Sequence, residues 1–197
     1  MIEFASVIFL TLGTVVVLFL IGRKAELILR RIESFLTYLS AAIILFVMTY
    51  VLAEVLMRYA FNSPLPGHLE GAELLLPMIV FLAVSYTQAR NGHVGMSLLI
   101  DLLPADTRRI TDICTLALSA LTCAVLAYFG AKQALFSWQI DDVTMTPPYW
   151  PIWPSAAVVP MGYLFLTIRM SLQALQRAVP DRFPEPLVDD PESTSTV

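Results

Sequence analysis

The sequence predicts an all-α, helical integral membrane protein, and three observations carry that expectation. Of 197 residues, 57% are hydrophobic and 14% charged, with a mean hydropathy of +0.73; soluble domains average about a quarter charged. Five apolar runs, at about 4–21, 35–57, 70–89, 113–131 and 151–170, have the length needed to cross roughly 30 Å of hydrocarbon. Almost all charged residues lie at the ends of these runs or between them. The net charge of −4 arises beyond residue 180, where Asp181, Glu185, Asp189, Asp190 and Glu192 meet a single Arg182. The low isoelectric point therefore describes a tail, and no basic patch suits nucleic acid.

The first run, 4–21, follows Met-Ile-Glu-Phe rather than a basic segment, and no small-x-small site precedes Gly22-Arg23. It is expected to span and stay, not to be cleaved as a signal peptide. Glu26–Leu36 alternates charge and apolar residues at helical spacing, which predicts an interfacial helix leading into the second span. Between the second and third spans, Asn62-Ser63-Pro64-Leu65-Pro66-Gly67 forces a sharp turn, because each proline bars helix at the residue before it. The third run tolerates Pro77 in its first turns. Val94–Pro104 is too short to cross and predicts a second interfacial helix.

Trp138, Tyr149, Trp150 and Trp153 gather where the fourth run ends and the fifth begins, as an aromatic belt does. Pro151 and Pro154 suit the first turn of the last helix, where the missing N–H had no helical partner. Residues 1–180 form one membrane domain on this reading. The segment 181–197 is proline-rich and acidic, and is expected to be a disordered cytoplasmic tail.

Basic residues set the orientation. Arg23, Lys24, Arg30 and Arg31, then Arg90, Arg108 and Arg109, then Arg169, Arg177 and Arg182 fall on one side if all five runs span. Only Arg58 and Lys132 fall on the other. The positive-inside rule then places the C-terminus in the cytoplasm and the N-terminus outside.

Little in the sequence offers catalysis. His68 and His93 flank one span at opposite ends, about 37 Å apart on a helix, and cannot be axial ligands of one haem. No metal-ligand spacing and no phosphate-cradling glycine loop occurs. Cys114 and Cys123 lie nine residues apart in one predicted helix, too far for a disulfide within it. No nucleophile, base and orienting group stand together, so no catalytic residue, metal ligand or cofactor is assigned and the chain is expected not to be an enzyme.

The polar chemistry that does stand out surrounds the 62–67 turn. Glu54 and Arg58 are spaced i, i+4 with the acid first, the better order for a helical ion pair. Their bland reading is an arginine snorkelling to the headgroups beside its partner; their functional reading is contact with another membrane subunit. Glu70 and Glu73 open the next helix, where its positive dipole end favours carboxylates, and they equally suit a partner outside the membrane. At the opposite end of that helix, Arg90 complements the negative dipole and Asn91-Gly92 stops the helix.

Met57–Pro104 resembles the small membrane subunit of tripartite ATP-independent periplasmic (TRAP) transporters. The resemblance rests on Arg58-Tyr59, Phe61-Asn62 and Pro64 in the first turn, Glu70 opening the next helix, and Gly92-His93-Val94 in the second turn. Gly67-His68 departs from the pattern, which commonly has an aromatic after the second proline. The family usually has four spans with both ends cytoplasmic, so the run 4–21 is an extra N-terminal helix.

The resemblance implies a non-enzymatic subunit of the bacterial or archaeal inner membrane that scaffolds a large membrane subunit. That partner would hold the sodium and substrate sites, and a periplasmic binding protein would deliver a small organic acid or similar solute. On this view Glu54, Arg58, Asn62, Glu70 and Glu73 make subunit or binding-protein contacts, and Asp141 and Asp142 in loop 132–149 help dock the binding protein. Arg90, Gly92 and His93 organise the inner turn, and membrane lipids surround the helices. The alternative is a membrane anchor of a respiratory redox enzyme binding quinone or haem, which single histidines and aromatic clusters at membrane edges also suit.

Overall fold

A computed structural model describes Gly13 and residues 23–63, 65–90 and 105–179. Four helices make up nearly all of it: α1 (Arg23–Phe61), α2 (His68–Ala89), α3 (Ala105–Gln139) and α4 (Trp153–Ala178). Each is long and apolar enough to cross a membrane. Among the described residues there is no strand, only an isolated bridge between Val143 and Pro151. The fold is therefore all-α and multi-pass. The expected span 4–21, the interfacial stretch 94–104 and the tail 181–197 lie outside the described residues.

The helices run longer than the apolar stretches that announced them. The expected interfacial helix 26–36 and the span 35–57 are one continuous α1 of 39 residues, about 58 Å long. Nothing between Glu26 and Phe35 breaks a helix, and Leu29 and Glu33 pack inward instead of lying on an interface. Likewise α3 extends both ways beyond 113–131, and α4 runs on to Ala178. The Pro151–Pro154 region does open α4, with proline in its first turn.

The packing order is α1 on α2, α2 on α4 and α4 on α3, with α3–α4 the most extensive contact. Central α4 is accordingly the helix with the most buried residues, whereas α1 leaves a long row of large apolar side chains exposed, as lipid or a partner helix permits. Small residues let backbones approach. A Cβ on Gly162 of α4 would lie 2.6 Å from both the Cβ and the carbonyl oxygen of Phe81 on α2. Beside it the Phe81 and Tyr163 rings meet at 5.0 Å. This is the small-residue logic of helix packing in membranes, where dispersion contact rather than the hydrophobic effect drives association. Ser40 Oγ donates to the Ile79 carbonyl at 2.6 Å and fastens α1 to α2 at mid-length.

The four helices alternate in direction. One end of the bundle holds the 62–67 corner and the 140–152 loop. The other holds the start of α1, the end of α2, the start of α3 and the end of α4. At this second end Arg109 donates from Nε and Nη2 to the carbonyls of Arg177 and Ala178 at 2.9 and 3.1 Å, satisfying acceptors left over at the C-terminus of α4. Arg177 in turn pairs with Asp112 at 2.7 Å.

Candidate functional site: two polar ends of an apolar bundle

The corner is built on Gly67. Its φ of 71° is the left-handed region, and a Cβ there would lie 2.6 Å from Pro148 Cδ and 2.9 Å from the Pro147 carbonyl. Glycine answers both constraints, so the turn after α1 seats directly on the 140–152 loop. The loop is held by Thr144 N–H to the Trp150 carbonyl at 3.0 Å, Ile152 N–H to the Asp142 carbonyl at 3.0 Å, and Trp150 N–H to Thr144 Oγ1 at 2.9 Å. Met145 at its tip is 94% exposed.

Under the corner sits Glu54, 2% exposed, with Arg58 Nε and Nη2 donating to its Oε1 at 2.9 and 2.5 Å. His68 Nε2 lies 3.8 Å from the same oxygen, and its Nδ1 is 3.1 Å from the Leu65 carbonyl. The i, i+4 pair expected from sequence is therefore formed. It also reaches across the turn to the start of α2, which spacing alone does not disclose. Burial removes Glu54 from direct reach of a partner, while half-exposed Arg58 stays available.

Of the other expected contact residues, Asn62 (φ 51°), Glu73 and Asp141 (φ 48°) are exposed. Glu70 is partly buried, and its Oε2 is enclosed with no hydrogen-bond partner among the described residues. Asp142 is partly buried and turned into its own loop, its Oδ2 accepting from Ser137 Oγ at 3.4 Å. The corner and the loop thus bring the two sets of acidic residues to one end of the bundle. At the far end of α2, Arg90 closes the helix, its N–H bonded to the Tyr86 carbonyl at 3.2 Å and its guanidinium 5.3 Å from the centre of the Tyr86 ring. Gly92 and His93 lie outside the described residues.

At that same end lies a polar cluster that sequence reasoning missed. Glu26, Leu29 and Glu33 of α1 face Gln176, Leu172 and Arg169 of antiparallel α4, rung by rung. Gln176 Nε2 donates to Glu26 Oε2 at 2.6 Å, Leu29 and Leu172 form a buried apolar contact, and Glu33 Oε2 lies 3.7 Å from Arg169 Nη1. Ser85 of α2 closes the cluster by donating to Glu33 Oε1 at 2.5 Å. One turn along, Gln88 Nε2 donates to Gln173 Oε1 at 2.8 Å, and Gln173 Nε2 donates to the Gln88 carbonyl at 3.1 Å. The available signal was the shared i, i+3, i+7 spacing of 26/29/33 and of 169/172/176, read in opposite directions.

The two polar ends hold helices to one another, and the stretch between them carries no charged side chain on any of the four helices. Among the described residues no cluster of His, Cys, Asp and Glu has the makings of a metal site. The model of the DctQ component of tripartite ATP-independent periplasmic transporters matches residues 47–179. The chain belongs to this family. The match begins within α1 and ends just past α4, so it includes the corner, the 140–152 loop and Arg169 with its neighbours on α4.

Two curated TRAP small permease subunits are similar to it. The ectoine TRAP transporter small permease protein TeaB of Halomonas elongata is 27% identical over 154 residues, covering 76% of this chain and 79% of the relative. The C4-dicarboxylate TRAP transporter small permease protein DctQ of Vibrio cholerae is 30% identical over 98 residues, covering 50% of this chain and 39% of the relative. The resemblance seen in Met57–Pro104 is thereby extended over most of the chain.

Proposed function

We propose that this chain is the static small subunit of a TRAP transporter, bracing a large membrane subunit during binding-protein-dependent, sodium-coupled uptake of a small organic solute. The observation that carries the reading is the division of labour in the bundle. Buried polar contacts at both ends fasten the helices to each other, and α1 keeps an apolar face, including Leu45, Met48, Leu52 and Leu56, uncommitted. A brace needs such stiffness and such a face; a substrate or ion path would need polar groups at mid-membrane. The small permease subunits similar to it are named for ectoine and C4-dicarboxylate transporters. An organic acid or zwitterion of that size is the solute class proposed.

In this reading the chain contributes no catalytic group and no cofactor. Sodium and solute bind the large subunit. The corner end faces the periplasm, where Arg58, Asn62, Glu73 and Asp141 offer contacts and buried Glu54, Glu70 and Asp142 shape them. The opposite end and the tail lie in the cytoplasm. The run 4–21 adds one more span to the membrane domain 1–180 and puts the N-terminus outside.

The test is uptake in cells deleted for this chain. The reading requires that sodium-driven accumulation of the solute be lost and be restored by the chain on a plasmid. Full uptake without the chain would remove its role as an essential brace.

A further inference from the structure

A cavity of about 340 Å³ opens among α1, α2 and the start of α4, lined by Phe46, Tyr50, Gly71, Met78, Trp150 and Pro154 among others. Its wall on α2 runs from Gly71, one turn into the helix, to Met78, a length of about 10 Å. It is therefore a slot lying along the helix axes, in the half of the bundle nearest the corner. The walls are almost wholly apolar. Two hydrogen-bond donors stand at its corner end: Tyr50 Oη and Trp150 Nε1, which would lie 3.8 and 3.9 Å from a Cβ on Gly71. Glycine at 71 keeps the space between them open. Among the described residues neither donor atom enters a hydrogen bond.

We propose that this slot binds the acyl chain of a membrane phospholipid, with Tyr50 Oη and Trp150 Nε1 donating to the ester carbonyl. An apolar slot with a few convergent polar groups at one end describes a site for an amphipathic ligand. Its long axis follows the helices, which is how hydrocarbon chains run in a bilayer. Tyrosine and tryptophan at the membrane edge put donors at the depth where ester groups lie. A leucine or phenylalanine from a partner helix would fill the apolar part and leave two donors desolvated without an acceptor, which costs free energy. An acyl ester fills the slot and satisfies the donors together.

The test is photolabelling of the full chain, with whatever subunits purify with it, in vesicles of phosphatidylethanolamine and phosphatidylglycerol. The probe is phosphatidylethanolamine carrying a diazirine on its acyl chain, and labelled peptides are mapped by mass spectrometry. The expected result is label concentrated on 71–78 and 150–155 above that on Leu118 and Leu126, which are exposed on α3. Gly71→Leu, which fills the slot, should cut the slot label several-fold. Tyr50→Phe removes only a hydroxyl and should cut it in part, with the label at Leu118 and Leu126 unchanged in both variants. Slot label equal to that of the exposed face and indifferent to both substitutions would overturn the proposal. So would a slot labelled in the chain alone but protected when a large membrane subunit is bound, which would assign it to a protein side chain.

Discussion

Glu33 and Arg169 face each other at 3.7 Å across the α1–α4 contact, 1% and 2% exposed, with Ser85 hydrogen-bonded to the carboxylate. Among the described residues Glu33 Oε2 and Arg169 Nε and Nη1 have no hydrogen-bond partner. Both groups are almost wholly withdrawn from solvent, so each depends on the other for its place in the bundle. Losing one partner of a buried pair costs about 3–5 kcal/mol, whereas replacing both by apolar residues of similar volume is often neutral. Glu33→Leu or Arg169→Leu alone should therefore sharply reduce monodisperse, detergent-solubilised protein and lower its melting temperature. The double variant should recover most of both. Size-exclusion profiles and thermal melts of the four proteins check this.

The α2–α4 contact makes a second, sterically defined prediction. A methyl group at Gly162 would meet Phe81 Cβ and backbone oxygen at 2.6 Å, and backbone cannot swing aside as a flexible side chain can. Overpacking of this kind costs roughly 1–3 kcal/mol. At Gly130 of α3 the nearest atom is Pro160 Cβ at 3.4 Å, an ordinary contact. Gly162→Ala should lower the melting temperature, and Gly130→Ala should leave it unchanged or raise it, since alanine favours helix by about 1 kcal/mol over glycine.

At the corner, burial separates residues that sequence spacing had grouped. Arg58→Ala leaves Glu54 enclosed with His68 its one ionisable neighbour among the described residues, and should cost about 1–3 kcal/mol of stability in a thermal melt. Glu73 is exposed, and Glu73→Ala should stay within about 0.5 kcal/mol.

Reversal of both acidic residues opening α2 distinguishes contact from capping. The Glu70→Lys/Glu73→Lys variant should impair solute uptake more than it reduces the amount of folded protein in the membrane. Equal losses, measured by uptake and by quantitative blotting of the same cells, would show that the carboxylates serve only the helix dipole.

Much of this was legible in the residues. Apolar run length disclosed the four described helices, because a single segment of about 20 residues satisfies its own backbone within lipid only as a helix. The proline-rich turn 62–67 and the i, i+4 pair Glu54–Arg58 are local features, and local spacing predicted them. The extent of α1 was not legible. Glu26 and Glu33 look like the polar face of an interfacial helix until Gln176 and Arg169, some 140 residues later in sequence, supply their partners. A charge's partner across two helices is a tertiary fact, and hydropathy counts it only as a cost. For the same reason spacing named no partner for His68, which lies beside Glu54, and the slot beside Gly71 had no counterpart in any motif.

The central claim is that this chain braces a larger membrane subunit, and co-purification tests it most directly. The tagged chain, drawn from its native membrane in mild detergent, should bring down a much larger polytopic permease near one to one, identified by mass spectrometry. Recovery of the chain alone under several detergents, or with a flavin or iron–sulfur subunit instead, would contradict the account.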